Sequence, residues 1–155
     1  MPRRAIRGDP GPVAVHTSPV TRPLTGFPFL DAGRDDGAVL AFAHRGGARH
    51  PDIEGLENTL VAFEHAVGLG YRYLETDVHL TSDGVLLTIH DAALDRLTSS
   101  RGRIATTTYA GLRGALVGGH EPIPLMADLL EHFPRARFNI DLKSDVAVPV
   151  LADLV

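Results

Sequence analysis

The sequence predicts an α/β fold with parallel strands, and three observations lead there. Strand-like and helix-like segments alternate from residue 38 onward. One of them, Ala38 to Ala43, is a continuous apolar run of the kind covered on both faces of a parallel sheet. Titratable residues stand at the end, or on one face, of each strand: His44, Glu75 with Asp77, His90, and Asp141 with Lys143. In a parallel barrel the carboxyl ends of the strands share one rim, where such a fold places its chemistry.

At 155 residues with 44% hydrophobic content, the chain suits one domain with a sizeable core. A net charge of −4 and the lack of a basic stripe argue against nucleic-acid binding. Arg3, Arg4 and Arg7 are followed by Gly8-Asp9-Pro10-Gly11-Pro12, where a signal peptide needs an apolar core. No run is long and apolar enough to span a membrane, so a soluble, cytoplasmic protein is expected. With no cysteine there are no disulfides and no thiolate sites.

Residues 1–38 read as a flexible, Pro/Gly-rich tail, because Pro2, Pro10, Pro12, Pro19, Pro23 and Pro28 interrupt any helix. The domain then runs from 39 to 155. The apolar run 38–43 leads straight into His44-Arg45-Gly46-Gly47. The glycines permit a sharp turn or a close approach of backbone to ligand, and Arg45 is suited to gripping a phosphate. Taken alone, a histidine in such a place is more often a hydrogen-bonded core residue than a catalyst; the Arg-Gly-Gly context favours function. Glu57-Asn58-Thr59 opens a helix with Asn58 as its cap and Leu60, Phe63 and Val67 as its apolar stripe, ended by Gly68 or Gly70. Glu57 either complements that helix's dipole or supports the site with Asn58.

A strand follows at about 72–78. Leu74, Thr76 and Val78 share one side, and Glu75, Asp77 and His79 the other. Carboxylates are poor strand formers and repel each other, so either a divalent cation compensates them or they form the solvated face of an edge strand. Ser82-Asp83-Gly84 signals a turn before the apolar run Val85 to Ile89, which ends in His90-Asp91. By itself that turn suggests an antiparallel hairpin, which would carry His90 to the wrong end of the sheet. An extended return over 78–83, at ~3.3 Å per residue, keeps the strands parallel and is expected here. A polar loop spans 99–108, and a weak helix covers Tyr109 to Leu116. A helix begins after Pro122-Ile123-Pro124 and ends near His132. The strand 137–143 places Asn139, Asp141 and Lys143 on one face, and a last helix starts at Ala147.

The segments Ala43-His44-Arg45-Gly46-Gly47, Glu57-Asn58-Thr59, Glu75-Thr76-Asp77-Val78, Thr81-Ser82-Asp83-Gly84, His90-Asp91 with Leu94 and Arg96, Ile123-Pro124 and Asn139-Ile140-Asp141-Leu142-Lys143 occur in the order and spacing of one family. Over residues 39–143 the chain resembles the N-terminal half of the glycerophosphodiester phosphodiesterase catalytic domain. The resemblance implies a TIM-barrel enzyme that hydrolyses glycerophosphodiesters to glycerol 3-phosphate and an alcohol. It implies His44 and His90 as the acid–base pair, Arg45 and Lys143 beside the phosphate, and Glu75, Asp77 and Asp141 as ligands of Mg²⁺ or Ca²⁺. Many relatives carry Glu where Asp141 stands.

A complete (β/α)₈ barrel needs roughly 250 residues. About four strands are expected here, which makes the fold an incomplete barrel of about its first half. Exposed sheet edges then favour self-association. The rival expectation is a truncated, inactive remnant or interaction module of the same family. A histidine-rich zinc site is not expected, because the eight histidines are scattered and no cysteine joins them.

Overall fold

The computed structural model describes residues 25–31 and 39–155. Most of the expected tail lies outside the described residues. Within it, Pro28–Asp31 forms one helical turn, α1. Proline is tolerated in a first helical turn, so Pro28 begins a helix rather than breaking one. The Asp31 carboxylate accepts from the Thr25 and Gly26 N–H groups at 2.8 and 3.0 Å.

The unit that carries the candidate site is Leu40–Val155. Strand β1, Phe42–His44, is shorter than the apolar run foretold. Only Ala43 is buried in it, and Val39 is 77% exposed, so the expectation of a strand covered on both faces is corrected. Its one strand neighbour among the described residues is β2. Helix α2, Leu60–Gly68, is capped by Thr59, whose hydroxyl accepts from the Ala62 N–H. Asn58, the expected cap, instead takes a left-handed conformation at φ 60° and turns away from the helix. Gly70 completes the helix end, at φ 93°, with its N–H on the Val67 carbonyl.

Strand β2, Tyr73–Leu80, is the axis of the sheet. β1 lies parallel to its first part, with His44 opposite Glu75. β3, Leu86–Thr88, pairs antiparallel with its last part, with Val78 opposite Thr88. The expected parallel return is therefore wrong: the Asp83-Gly84 turn makes a hairpin after all. The reason is length. β2 overruns the end of β1 by five residues, Thr76 to Leu80, and the hairpin returns along that overhang. The Ile89 N–H then bonds the Asp77 carbonyl, which brings His90 back to the level of the rim.

Beyond β3 the chain makes an excursion with its own small core. It contains the one-turn helix α3, Tyr109–Leu112, and the hairpin of β4, Leu116–Val117, with β5, Glu121–Pro122. Leu87, Ile89, Leu94, Ile104, Leu112 and Val117 form that core, so the loop expected to be polar is anchored at Ile104. Helix α4, Met126–His132, leads to β6, Arg137–Leu142, which joins the free edge of β2 in parallel register. The Val78 carbonyl accepts from the Lys143 N–H, while the preceding carbonyl, on Asp77, faces β3. Successive carbonyls of a strand point to opposite edges, so β6 and β3 flank β2 on opposite sides. The chain ends in a 3₁₀ turn, Asp145–Ala147, and helix α5, Val148–Ala152.

The sheet thus holds three parallel strands, β1, β2 and β6, rather than four. Leu74 and Val78 of β2 pack with Phe63, Met126 and Leu129 from the helical layer. The opposite face of β2 carries the charged set. Phe63 has no exposed surface and meets Phe133 and Phe138 edge-on, at 6.4 and 6.3 Å between ring centres. These contacts fix α2 and α4 against the sheet and hold the rim in place.

Candidate active site

The turn after β1 is conformationally specialised. Arg45, Gly46 and Gly47 all have positive φ, at 51°, 77° and 92°. For Arg45 this backbone costs energy, and it is held by a 2.9 Å hydrogen bond from the Arg45 N–H to Glu75 Oε2 on β2. Gly46 presses on α2: a Cβ there would stand 2.9 Å from the Ala62 Cβ. Gly46→Ala is therefore expected to cost about 1–3 kcal/mol through crowding and backbone strain. A lowered urea midpoint with unchanged slope would show it, and an unchanged midpoint would mean that α2 moves aside freely.

His44 is over half exposed, and its Nε2 lies 4.0 Å from Glu75 Oε2. The Arg45 guanidinium turns inward, with Nη1 on Glu57 Oε1 at 3.1 Å. Its Nε lies 3.2 Å from Asp77 Oδ2 but is not aligned for a hydrogen bond.

Asp77 is almost fully buried at the centre of this web. Its Oδ2 accepts from Asn58 Nδ2 at 3.0 Å, and its Oδ1 faces Lys143 Nζ at 2.8 Å. Asp141, opposite Asp77 in the sheet register, shares the same ammonium at 2.5 Å. Burial alone would raise the Asp77 pKa, but Lys143, Asn58 and Arg45 outweigh it and move it below the usual 3.8. Lys143 moves up for the matching reason: its bonds to Asp141 and Asp77 outweigh its own desolvation. Asn58 is satisfied throughout. Its side-chain oxygen accepts from Thr76 Oγ1 at 2.8 Å, its carbonyl from Thr88 Oγ1 at 3.1 Å, and its N–H donates to the Arg45 carbonyl. Its left-handed backbone aims the amide at Asp77, and the N-cap role falls to Thr59.

His90 sits on the other side of the rim. Its Nδ1 lies 2.7 Å from Asp91 Oδ1, and its carbonyl accepts from His79 Nε2 at 3.0 Å. Asp91 in turn takes two hydrogen bonds from Arg96, at 2.6 and 3.0 Å, and Arg96 donates two more to Glu57, at 2.6 and 3.1 Å. The Arg96 hydrogen bond, helped by His90, holds the Asp91 carboxyl far below its ordinary range. For Glu57, Arg96 and Arg45 together outweigh burial and lower it from 4.5. One chain of polar contacts therefore runs from His90 through Asp91, Arg96 and Glu57 to Arg45.

Glu57 and Asn58, expected from the sequence as supports of the site, bond Arg45 and Asp77 here; Asp91 and Arg96 join them with no role legible in the sequence. The Arg96–Glu57 contact spans 39 positions, and no local pattern shows it. His79 shares the charged face of β2, as expected, and acts there as a clasp on the His90 backbone.

Stability should follow these carboxylates. Their folded pKa values lie below the unfolded ones of 3.8 for Asp77 and 4.5 for Glu57, so their contribution is fully present above about pH 5. It is lost as the pH falls through the depressed folded values. Urea midpoints should be flat from these groups between about pH 5 and 7 and fall steeply below about pH 4. Asp77→Asn should flatten that fall, and an identical acid limb in the variant would contradict the assignment.

The fold and site define a class: a parallel β/α barrel segment whose acidic and basic side chains gather on the carboxyl rim. The chain belongs to the glycerophosphoryl diester phosphodiesterase family, whose model matches residues 44–154. It is 35% identical over 132 residues to a probable glycerophosphodiester phosphodiesterase 2 of Mycobacterium tuberculosis, covering 84% of this chain and 48% of that protein. The crystal structure of a glycerophosphodiester phosphodiesterase from Agrobacterium tumefaciens superposes with a TM-score of 0.64 at 31% identity, over 72% of this chain and 50% of that one. An Oleispira antarctica phosphodiesterase, solved in complex with the product sn-glycerol-3-phosphate, superposes with a TM-score of 0.62 at 28% identity, over 73% of this chain and 51% of that one. The chain thus spans about half the length of these relatives. Their solved folds and the parallel β1–β2–β6 sheet make it a partial TIM barrel.

Proposed function

We propose that this chain carries the catalytic rim for hydrolysis of a glycerophosphodiester to glycerol 3-phosphate and an alcohol. The observation that carries the reading is the charge balance of the rim. Glu57, Glu75, Asp77, Asp91 and Asp141 are set against Arg45, Arg96 and Lys143, leaving two carboxylate charges uncompensated. That excess, presented on oxygen donors, fits one hard divalent ion, Mg²⁺ or Ca²⁺. Glu75, Asp77 and Asp141 would hold it; their oxygens are not gathered within 4.8 Å of one another here, and Lys143 Nζ lies between Asp77 and Asp141, so binding would require that ammonium to move aside. When bound, the ion would supply Lewis-acid stabilisation of the phosphoryl oxygens.

The chain's own residues do the rest. Lys143 and Arg45 are the cations closest to the proposed ligands and offset charge on the non-bridging oxygens. Asp91 fixes the His90 ring through Nδ1 and leaves Nε2 to exchange a proton with substrate. His44, exposed beside Glu75, is the second proton carrier. One histidine deprotonates the nucleophile and the other protonates the departing alkoxide. The bond broken is phosphorus to the alcohol oxygen.

A second reading has its own observation. The outer edge of β1 has no strand partner among the described residues, and the relatives are twice as long. On this reading the chain is an inactive remnant or a half-barrel module that self-associates through its edges. Among the described residues no helix is long and apolar enough to cross a membrane. Glycerol 3-phosphate release from glycerophosphocholine, measured with each metal and alongside the molar mass in solution, separates the two readings. Metal-dependent turnover supports catalysis; silence with every metal supports the module.

A further inference from the structure

We propose that His50, Asp52 and His65 form a second metal site, selective for Zn²⁺ over Mg²⁺ and Ca²⁺ and separate from the oxygen-rich rim. Among the described residues, this is the trio whose ligand atoms already lie within 4.8 Å of one another. His50 stands just before the 3₁₀ turn Pro51–Ile53, and His65 lies on α2. The fold brings them together across that loop, with ring centres 4.4 Å apart. Asp52 Oδ2 sits between them, 3.7 Å from His50 Nδ1 and 3.6 Å from His65 Nε2. Tetrahedral zinc with bonds of about 2.0–2.1 Å needs ligand atoms roughly 3.3 Å apart, so the two Asp52 contacts need tighten by only a few tenths of an ångström, and the two imidazole nitrogens start within 4.8 Å of each other.

The donor types separate the transition metals from the alkaline-earth ions. Two imidazole nitrogens and one carboxylate suit zinc, whereas Mg²⁺ and Ca²⁺ demand oxygen. His50 Nδ1 carries an available lone pair, because it accepts the Asp52 N–H at 3.2 Å; metal capture redirects that pair to the ion. The protein supplies three ligands, and water takes the fourth position. His50 and His65 also line a cavity of about 500 Å³ together with His44, Phe42, Leu69 and Tyr71. A zinc ion there staples the loop that follows the His44–Gly47 turn onto α2, so its consequence is a stiffer support for the rim.

The test is calorimetric titration of ZnCl₂ into the chain near pH 7.5, with MgCl₂ in about hundredfold excess over protein. One saturable zinc per chain is expected, undiminished by magnesium. At zinc concentrations about 100 times Kd, the thermal midpoint should rise by roughly 5–10 °C. His50→Ala, His65→Ala and the exposed Asp52→Ala should each weaken binding at least about tenfold, and His132→Ala should not. Metal-free melting of each variant reports that it is folded. No saturable zinc, displacement by magnesium, or equal affinity in all variants would overturn the site.

Discussion

His90→Ala is expected to lower glycerophosphodiester turnover by about 10²–10⁴-fold while leaving divalent-metal affinity nearly unchanged. The ring is held at both ends of the residue: Asp91 takes Nδ1 at 2.7 Å, and His79 clasps the carbonyl at 3.0 Å. Such a ring offers one free nitrogen in one orientation, which is what proton transfer to a positioned oxygen requires. The proposed metal ligands are all carboxylates, so removing an imidazole subtracts none of them. Asp91→Asn keeps the ring but weakens its anchor and removes the charge facing it. A smaller loss in kcat and a shifted pH profile, with KM little changed, are expected there. Normal turnover in His90→Ala, or metal loss as complete as in Asp77→Ala, would remove the assigned role.

Asp77→Ala is expected to cost about 3–5 kcal/mol of stability as well as activity and metal affinity. Asp77 has about 1% of its surface exposed, and its two oxygens answer Lys143, Asn58 and the Arg45 side chain. Deleting the carboxylate leaves an ammonium, a guanidinium and a buried amide facing an empty space. Asp77→Asn keeps the volume and should be milder in stability yet equally deficient in metal binding. Chemical denaturation measures the first effect and metal titration the second. A loss below about 1 kcal/mol for Asp77→Ala would mean that its partners find water instead.

Much of the site was legible because its residues are local to strand ends. The alternation of Glu75, Asp77 and His79 exposed the charged face of β2, and the Arg45-Gly46-Gly47 turn advertised a backbone that needs positive φ. What stayed hidden depends on lengths and distant pairing. The apolar run 38–43 gave a strand of only three residues, since a hydrophobic run states a wish for burial without saying what covers it. The direction of β3 depended on how far β2 overruns β1, which periodicity alone does not mark. Asp91 and Arg96 looked like ordinary loop charges until the fold placed Glu57 against them. His50 and His65 looked scattered for the same reason.

The most direct test of the catalytic reading is release of glycerol 3-phosphate from glycerophosphocholine by the 155-residue chain, with Mg²⁺ or Ca²⁺ titrated from zero. Turnover is expected to saturate with metal and to fall by about 10²–10⁴-fold in His44→Ala and in His90→Ala. Absence of turnover at any metal concentration, or equal turnover in the variant lacking both histidines, would contradict it.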